Sequence, residues 1–417
     1  MERALLVGVF IGRVPRREAE ESIEELKVLS QSAGAEVVGE VLQHRDKINP
    51  KYYIGEGKLN EIKVMAKELN VDIIVFDDKL SPAQYKNLEN KTNMKILDRS
   101  QLILDIFAQR ARSIEGKLQV ELAQLLYLLP RLVGKGIELS RLGGGIGTRG
   151  PGEKKLEYER RKIRDRISKI KKELKNIEKR RSLYREKRRK QPIPYVSLAG
   201  YTSAGKTTLF NMLTSEGAKV SSSLFSTLDP LTRIIELKNG LKFYLSDTVG
   251  FIKKLPVELV EAFKSTLDEI VYTDLIFHII DYSRDDYQKQ IDSVEKILSE
   301  IGASDKNIIK VYNKIDLITD GKKLIDKNSE KEVFVSASKG WGTDNLLTLL
   351  EKTVFSDFKL YKIKVKNRFK TFMEGINSWG FIVKKHLNGD EIIYEVYIKY
   401  EDMLKFLPKL KEKGEII

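Results

Sequence analysis

YVSLAGYTSAGKTTLFN, residues 195–211, joins an apolar, strand-like run to a helical run through a loop of the pattern G-x-x-x-x-G-K-[ST]. In such a loop the backbone N–H groups and the helix N-terminus cradle phosphate groups. We expect Lys206 to neutralise charge on the β- and γ-phosphates and the Thr207 hydroxyl to bind Mg²⁺. The stretch therefore predicts a P-loop nucleotide-binding domain built on an α/β sheet.

A second motif, DTVG (247–250), follows the strand-like run KFYLS downstream of the phosphate loop. We expect Asp247 to hold the shell of the magnesium ion, and the Gly250 N–H to meet the γ-phosphate and so report hydrolysis. Between the two motifs lies FSTLDPLTR (225–233), in which a threonine should complete the Mg²⁺ shell when the γ-phosphate is bound. Thr227 is our choice for this ligand, and Thr232 is the alternative.

Two further motifs indicate which base is bound. NKID (313–316) follows the strand-like NIIKVY, and its Asp316 carboxylate can accept hydrogen bonds from N1–H and the exocyclic amine of guanine. Adenine offers no such pair of donors on that edge, and an unpaired carboxylate is costly, so this motif favours GTP over ATP. SAS (336–338) follows EVFV, where a backbone N–H would meet the guanine O6.

These motifs define a set of predicted site residues. The predicted nucleotide contacts are Gly200, Tyr201, Thr202, Ser203, Ala204, Gly205, Lys206, Thr207, Thr208, Phe225, Ser226, Thr227, Asp247, Thr248, Val249, Gly250, Asn313, Lys314, Asp316, Ser336, Ala337 and Ser338. The predicted magnesium ligands are Thr207, Thr227 and Asp247, and the residues assigned to hydrolysis are Lys206, Thr227 and Gly250.

The residue after the DTVG glycine is Phe251, where many Ras-like proteins have a glutamine that orients water. A phenyl ring cannot align a water molecule by hydrogen bonding. We therefore predict slow intrinsic hydrolysis, accelerated when a partner orders the switch segments or supplies a polar group.

Composition excludes several other classes of protein. The 417 residues are 41% hydrophobic, and no run of about 18 apolar residues predicts a membrane span. The N-terminal run ALLVGVF is more typical of a first strand than of a signal peptide. There is no cysteine, and the three histidines are scattered, which excludes disulfides and cysteine-based zinc sites and disfavours a histidine-rich metal centre. We expect a cytoplasmic monomer.

The net charge of +15 is concentrated between Glu153 and Lys190, where 19 Lys/Arg face 7 Asp/Glu. Such a block attracts polyanions, with nucleic acid or ribosomal RNA the natural candidate, although a solvated helix face would have the same composition. Within this segment apolar residues recur at spacings of seven, four, three, four and three, which predicts a narrow seam along a helix. The seam residues are Leu156, Ile163, Ile167, Ile170, Leu174 and Ile177.

The alternation of apolar runs and helical patterns divides the chain into four expected parts. Residues 1–98 predict a small parallel α/β sheet, and residues 99–191 a long helical hairpin with a glycine-rich loop. Residues 192–358 predict the P-loop, Ras-like GTPase domain, and residues 359–417 a small α/β domain with a hairpin at Asn388-Gly389.

KYYIGEGKLNEI (51–62) places two glycines before a helix, and either phosphate binding or a tight loop would need them. For the hairpin loop GGGIGTRGPGE (143–153), RNA contact and a loose connector remain open.

Several stretches, both within and outside the nucleotide motifs, resemble the HflX family of translational GTPases, among them GYTSAGKTTLFN (200–211) of the phosphate loop. The others are YYIGEGKLNEI (52–62), DDKLSPAQYKNLE (77–89), LDRSQLILDIFAQRARSIEGKLQVELAQL (97–125), SRLGGGIGTRGPGE (140–153) and FSTLDPLTR (225–233). Within the phosphate loop, Ser203 stands where the family has Asn, and Thr207-Thr208 where Ser-Thr is usual. The hydrophobic residue after DTVG is a feature that the family shares.

The resemblance implies GTPase activity stimulated by the large ribosomal subunit, a task in splitting or rescuing stalled ribosomes under stress, and in some members ATP hydrolysis. It also implies that the hairpin loop contacts ribosomal RNA near the peptidyl-transferase centre. The RNA-binding residues expected on this ground are Arg141, Arg149, Lys154 and Lys155. Two alternatives stay open: an RNA-binding assembly factor with GTP as a structural ligand, and a P-loop ATPase that remodels RNA, against which Asp316 argues.

Overall fold

The computed structural model describes residues 1–133, 151–189, 191–214, 231–254, 256–318, 330–411 and 413–417. The chain forms two compact units. The first contains the described residues up to Ile177 together with Lys253–Lys264, and the second contains the described remainder. None of the helices in these ranges has an apolar stretch that would span a bilayer.

The N-terminal part is the predicted parallel α/β sheet. Its strands are β1 (Arg3–Ile11), β2 (Glu36–Arg45), β3 (Ile73–Phe76) and β4 (Lys95–Asp98), and its helices are α1 (Arg16–Ser32), α2 (Glu56–Glu68) and α3 (Pro82–Thr92). The strand order is β2-β1-β3-β4, and every pairing is parallel. Central strands of a parallel sheet are covered on both faces, so β3 is buried throughout.

A helical region follows, made of α4 (Arg99–Arg110), α5 (Ile114–Leu128), a 3₁₀ segment (Leu129–Val133) and α6 (Pro151–Arg189). The hairpin prediction is wrong in one respect: its first arm is not one continuous helix but two helices, α4 and α5, separated by a break. Ala111 is extended, with ψ of 114°, and the Ser113 hydroxyl caps α5 by accepting from the Gly116 N–H at 2.8 Å.

The predicted seam along α6 is present from Ile163 to Ile177, and the side chain of Leu156 lies outside the described part of the chain. Ile167 and Ile170 are buried, and Ile163, Leu174 and Ile177 are half-buried, while the residues between them are mostly exposed. The Arg166 guanidinium donates two hydrogen bonds, of 2.6 and 2.7 Å, to the Glu121 carboxylate on α5. This bidentate pair lays α5 alongside α6, as the hairpin requires. Residues 134–150, with most of the glycine-rich loop, lie outside the described chain.

The second unit contains the P-loop domain. Its strands are β5 (Tyr195–Gly200), β6 (Leu231–Glu236), β7 (Lys242–Asp247), β8 (Leu275–Asp281), β9 (Asn307–Asn313) and β10 (Glu332–Phe334). Its helices include α7 (Lys206–Thr214), α10 (Tyr287–Glu300) and α11 (Thr343–Val354), while α8 (Val257–Ala262) belongs to the first unit and α9 spans Lys264–Val271. The strand order is β10-β9-β8-β5-β7-β6.

All strands of this sheet are parallel except β6, which runs antiparallel to β7. The strand β6 was not predicted, because 225–233 was interpreted as a magnesium-binding segment. Leu231, Thr232 and Arg233 lie in the strand, paired with Asp247, Ser246 and Leu245.

The C-terminal part is an antiparallel sheet with helices. Its elements are β11 (Phe358–Lys366), α12 (Lys370–Glu374), β12 (Gly380–Asn388), β13 (Glu391–Lys399), α13 (Tyr400–Leu410) and β14 (Gly414–Ile416), in the strand order β12-β13-β11-β14. The predicted hairpin turn at Asn388-Gly389 is confirmed, with Gly389 at a φ of 62°.

Candidate functional site

The parallel strands β5, β7, β8 and β9 end at one edge of the sheet, and the motif residues follow those ends. In the phosphate loop Gly205 has a φ of +96°, and a Cβ atom there would stand 2.2 Å from the Asn313 side-chain nitrogen. A Cβ on Gly200 would stand 2.3 Å from the Ile279 carbonyl oxygen. Both glycines are therefore required by close approach as well as by the turn.

Lys206, at the first turn of α7, is buried, and its ammonium donates to the carbonyl oxygens of Gly200 at 3.0 Å and Tyr201 at 2.8 Å. Burial lowers the pKa of Lys206 to about 8, against the opposing effect of the Asp247 carboxylate. Among the described residues its hydrogen-bond acceptors are two neutral carbonyl groups, so the nearby Asp247 carboxylate compensates the buried charge only in part. The phosphates of a nucleotide would supply the missing negative charge.

The Thr207 hydroxyl donates to the Asp247 carboxylate at 2.8 Å. A hydroxyl and a carboxylate oxygen at this separation are hard oxygen ligands, the type that Mg²⁺ prefers, so these two residues fit the ion. Thr227 lies outside the described residues, as do Phe225 and Ser226. The alternative, Thr232, has its hydroxyl 2.9 Å from the Tyr195 hydroxyl, and this engagement disfavours it as a metal ligand.

The residue after DTVG is hydrogen-bonded to the phosphate loop. The Phe251 N–H donates to the Gly200 carbonyl at 3.1 Å, and the Thr202 N–H donates to the Phe251 carbonyl at 2.8 Å. The Phe251 side chain is only 2% exposed. Gly250 lies so close to Lys206 that a Cβ atom there would be 3.0 Å from the Lys206 ammonium nitrogen. The backbone N–H of Gly250 and the ammonium of Lys206, both assigned to hydrolysis, are thus neighbours.

The base-recognition motifs also meet. Asp316 accepts from the Ser336 hydroxyl at 2.6 Å and from the Ser338 hydroxyl at 3.2 Å. The hydrogen bond from Ser336 is the main reason that the pKa of Asp316 lies below its ordinary value. Asp316 is therefore an ionised acceptor at neutral pH. This is the state that can receive the two guanine donors.

Two features of this region were missed at the sequence level. Asn313 is a structural tie, since its side chain donates to the Ala204 carbonyl at 2.8 Å and accepts from the Ala337 N–H at 2.9 Å. Asp281 accepts from the Lys314 ammonium at 2.6 Å, and Lys314 has a φ of 65°. The position of Asp281 at the carboxyl end of a buried parallel strand was the signal available.

The segment 51–62 has a clear structural use. The Gly55 N–H donates to the Gln43 side-chain oxygen at 3.0 Å, and a Cβ on Gly55 would stand 2.5 Å from the Arg45 guanidinium. These contacts favour the tight-loop interpretation over phosphate binding.

Of the expected RNA contacts, Arg141 and Arg149 lie outside the described residues. Lys154 and Lys155 lie in α6, where only their backbone is described.

A six-stranded sheet with a phosphate loop at one strand end and an ionised, guanine-compatible carboxylate at another defines the class of P-loop GTPases. Proteins named GTPase HflX that are 42% and 48% identical over most of this chain show that it belongs to the HflX family and is a GTP hydrolase. Three family models match in succession: GTP-binding GTPase N-terminal over residues 20–108, GTP-binding GTPase middle region over 110–188, and 50S ribosome-binding GTPase over 195–314.

Individual relatives agree. GTPase HflX of Caldanaerobacter subterraneus subsp. tengcongensis is 48% identical over 394 residues, which cover 92% of this chain and 90% of that protein. GTPase HflX of Escherichia coli is 42% identical over 367 residues, covering 87% and 85%. The crystal structure of a GTP-binding protein from the archaeon Sulfolobus solfataricus in complex with GDP is 27% identical, covers 85% of this chain and 99% of that one, and has a TM-score of 0.45. The two GTPase HflX proteins confirm the resemblance inferred from the motifs.

Proposed function

We propose that this GTPase associates with the large ribosomal subunit, and that its nucleotide state controls its affinity in splitting or rescuing ribosomes under stress. The observation that carries the proposal is the cationic face of α6, whose apolar seam is turned inward. Exposed basic residues on this face are Arg161, Lys162, Arg164, Lys169, Lys171, Lys172, Lys175, Lys179 and Arg180. Such a strip neutralises phosphates and releases counterions, which favours binding to ribosomal RNA. The 50S ribosome-binding description of the family model over 195–314 supports the same partner.

We also propose roles for the predicted magnesium ligands and for the loop of the helical hairpin. Thr207, Asp247 and Thr227 would hold Mg²⁺, which would neutralise charge on the phosphates. The loop 141–153 would contact ribosomal RNA through Arg141, Arg149, Lys154 and Lys155. We propose a cytoplasmic monomer, with the four-part division at residues 98, 191 and 358.

A second candidate is a ribosome assembly factor that uses GTP mainly as a structural ligand. The cationic face of α6 favours it equally, because an exposed basic strip requires a polyanion but no subunit separation. The two candidates differ in whether binding to the large subunit depends on which nucleotide is present.

Co-sedimentation with purified large subunits tests the proposal, with a non-hydrolysable GTP analogue, GDP or no nucleotide, at about 50 and about 200 mM salt. We expect tighter binding with the analogue than with GDP, and a steep loss of binding at the higher salt. Replacing Arg161, Lys172 and Lys175 by Glu should abolish binding. The matched control replaces the exposed Lys67, Lys91 and Lys411 and should retain it. Equal binding in all nucleotide states would favour the assembly factor, and no binding would reject both.

A further inference from the structure

The segment that begins at Lys253, three residues after DTVG, lies in the first unit. Ile252 is the last residue of its stretch in the second unit, and Lys253–Lys264 is assigned to the first. Phe251, two residues before this boundary, is hydrogen-bonded to the phosphate loop through both its N–H and its carbonyl. A very short piece of chain therefore joins the Gly250 N–H, which should meet the γ-phosphate, to residues held by the N-terminal sheet.

Arg99 holds the start of this segment. Its side chain is 1% exposed and donates to the Lys253 carbonyl at 3.1 Å. The same guanidinium donates to Asp77 at 3.1 Å, to Glu25 at 2.9 Å and to the Ser22 carbonyl at 3.0 Å. Two carboxylates balance one buried cation here, and the planar fork of arginine reaches four acceptors at once.

Lys254 adds a second attachment. Its ammonium donates to the carboxylate of Asp77 at 2.6 Å and also to that of Asp78. The backbone of Lys254 has a φ of +56°, a left-handed conformation that is strained for a side-chain-bearing residue. Such strain persists only where surrounding contacts impose it. The ion pairs of Lys254 with Asp77 and Asp78 are contacts that can hold its backbone in this strained conformation.

The acceptor pair is itself fixed by the motif 51–62. The Tyr53 hydroxyl donates to the Asp78 carboxylate, and Tyr53 is buried with a φ of +68°. Burial, with the neighbouring Asp78 charge, raises the pKa of the Tyr53 phenol, so it remains a donor at physiological pH. A chain of contacts thus runs from Tyr53 through Asp78 to Lys254, parallel to the one from Glu25 and Asp77 through Arg99 to the Lys253 carbonyl.

We propose that Asp77, Asp78 and Arg99 are positioning residues for GTP hydrolysis, which act by holding Lys253 and Lys254 and thereby fixing the backbone of Gly250 and Phe251. Their contacts are with Lys253 and Lys254, so they act through the chain that follows the DTVG glycine. The proposal concerns hydrolysis by the isolated protein, so it does not depend on ribosome association. It also gives KYYIGEGKLNEI and DDKLSPAQYKNLE a common role.

The test uses Lys254→Met, Asp78→Asn and the double variant, because the Lys254 side chain is 42% exposed and its loss should leave the fold intact. Single-turnover GTP hydrolysis is measured without ribosomes, together with the affinities for GTP and GDP and the Tm. Lys58→Met is the matched control, since Lys58 lies on α2 and pairs only with Glu61, one turn away, among its described contacts.

We expect each single variant to lower the hydrolysis rate about tenfold, because small displacements of a reacting geometry cost one to two powers of ten. Affinities for both nucleotides and the Tm should stay at their wild-type values, and Lys254→Arg should restore most of the rate. The double variant should be no slower than the slower single variant, since both single variants remove the Lys254–Asp78 contact. Tyr53→Phe should lower the rate in the same direction.

Two results would overturn the proposal. The first is a wild-type or raised hydrolysis rate in Lys254→Met and Tyr53→Phe. The second is a loss of rate accompanied by equal losses of GTP affinity, GDP affinity and Tm, which would mean a merely structural role for these contacts.

Discussion

The side-chain amide of Asn313 donates a hydrogen bond of 2.8 Å to the carbonyl oxygen of Ala204, so the base-recognition motif and the phosphate loop are physically tied. The same amide accepts from the Ala337 N–H at 2.9 Å, which adds the third motif. The Asn313 side chain therefore joins three motifs that lie far apart in the sequence. Any change at Asn313 should disturb phosphate and base recognition together.

Asn313→Ala should leave the buried Ala204 carbonyl and Ala337 N–H without partners. Each such group costs about 1–3 kcal/mol, so the free energy of unfolding should fall by at least that amount. Urea unfolding of the nucleotide-free protein measures it. Asn307→Ala, at the exposed start of the same strand, is the control and should cost little. Equal stability of the two variants would show that the Asn313 tie contributes nothing.

The pKa of Lys206, lowered to about 8 by burial, predicts a pH dependence of nucleotide affinity. Bound phosphates favour the charged ammonium and raise its pKa, so binding above pH 8 requires proton uptake. GDP affinity should be flat below about pH 7.5 and weaken by up to about tenfold per pH unit above pH 8. Titration with a fluorescent GDP analogue at about pH 7 and about pH 9 checks this. Lys206→Met should bind GDP weakly, and its affinity should not depend on pH in this range. If the wild-type affinity were the same at both pH values, the titrating group would not be Lys206.

Asp316→Asn should exchange base specificity. The amide can no longer accept both guanine donors, so GTP affinity should fall by at least about 100-fold. Xanthosine triphosphate, which carries a carbonyl in place of the amine, should bind the variant better than GTP does. Competition binding with GTP, xanthosine triphosphate and ATP gives the order. If the variant kept the wild-type preference for GTP, Asp316 would not be the residue that recognises the base.

Phe251 is expected to act by packing. Its ring is buried, and its backbone makes the contacts to the phosphate loop, so Phe251→Leu should keep the slow intrinsic rate. Phe251→Ala should lower the free energy of unfolding by about 3–5 kcal/mol through loss of buried surface and the cavity left behind. Thermal unfolding and turnover of both variants test this. A stable Phe251→Leu protein without turnover would implicate the ring in hydrolysis itself.

The nucleotide motifs and the N-terminal sheet were predictable because their signals are local. A G-x-x-x-x-G-K-T loop has the same chemistry wherever a strand and a helix flank it, and buried parallel strands such as β3 are continuous apolar runs. The edge strand β6 was missed because LTRIIE has only Ile235 buried and resembles a polar connector. The break between α4 and α5 was missed because the apolar periodicity continues across Ala111.

The ion pairs between residues far apart in the chain could not be predicted from the sequence, for a different reason. Arg99 is flanked by residues typical of a helix start, and its partners Glu25 and Asp77 lie 74 and 22 positions away. Only the assembled sheet brings the three together. A buried arginine cannot be distinguished from an exposed one by pattern, because its burial depends on partners supplied by other elements.

The most direct test of the account is GTP turnover with and without purified large ribosomal subunits, at low and moderate salt, for the wild-type protein and Lys206→Ala. The account predicts slow turnover alone, strong stimulation by the subunit, weaker stimulation at the higher salt, and no turnover in the variant. Clear GTP binding without any stimulation would contradict a ribosome-triggered GTPase and would favour nucleotide as a structural ligand.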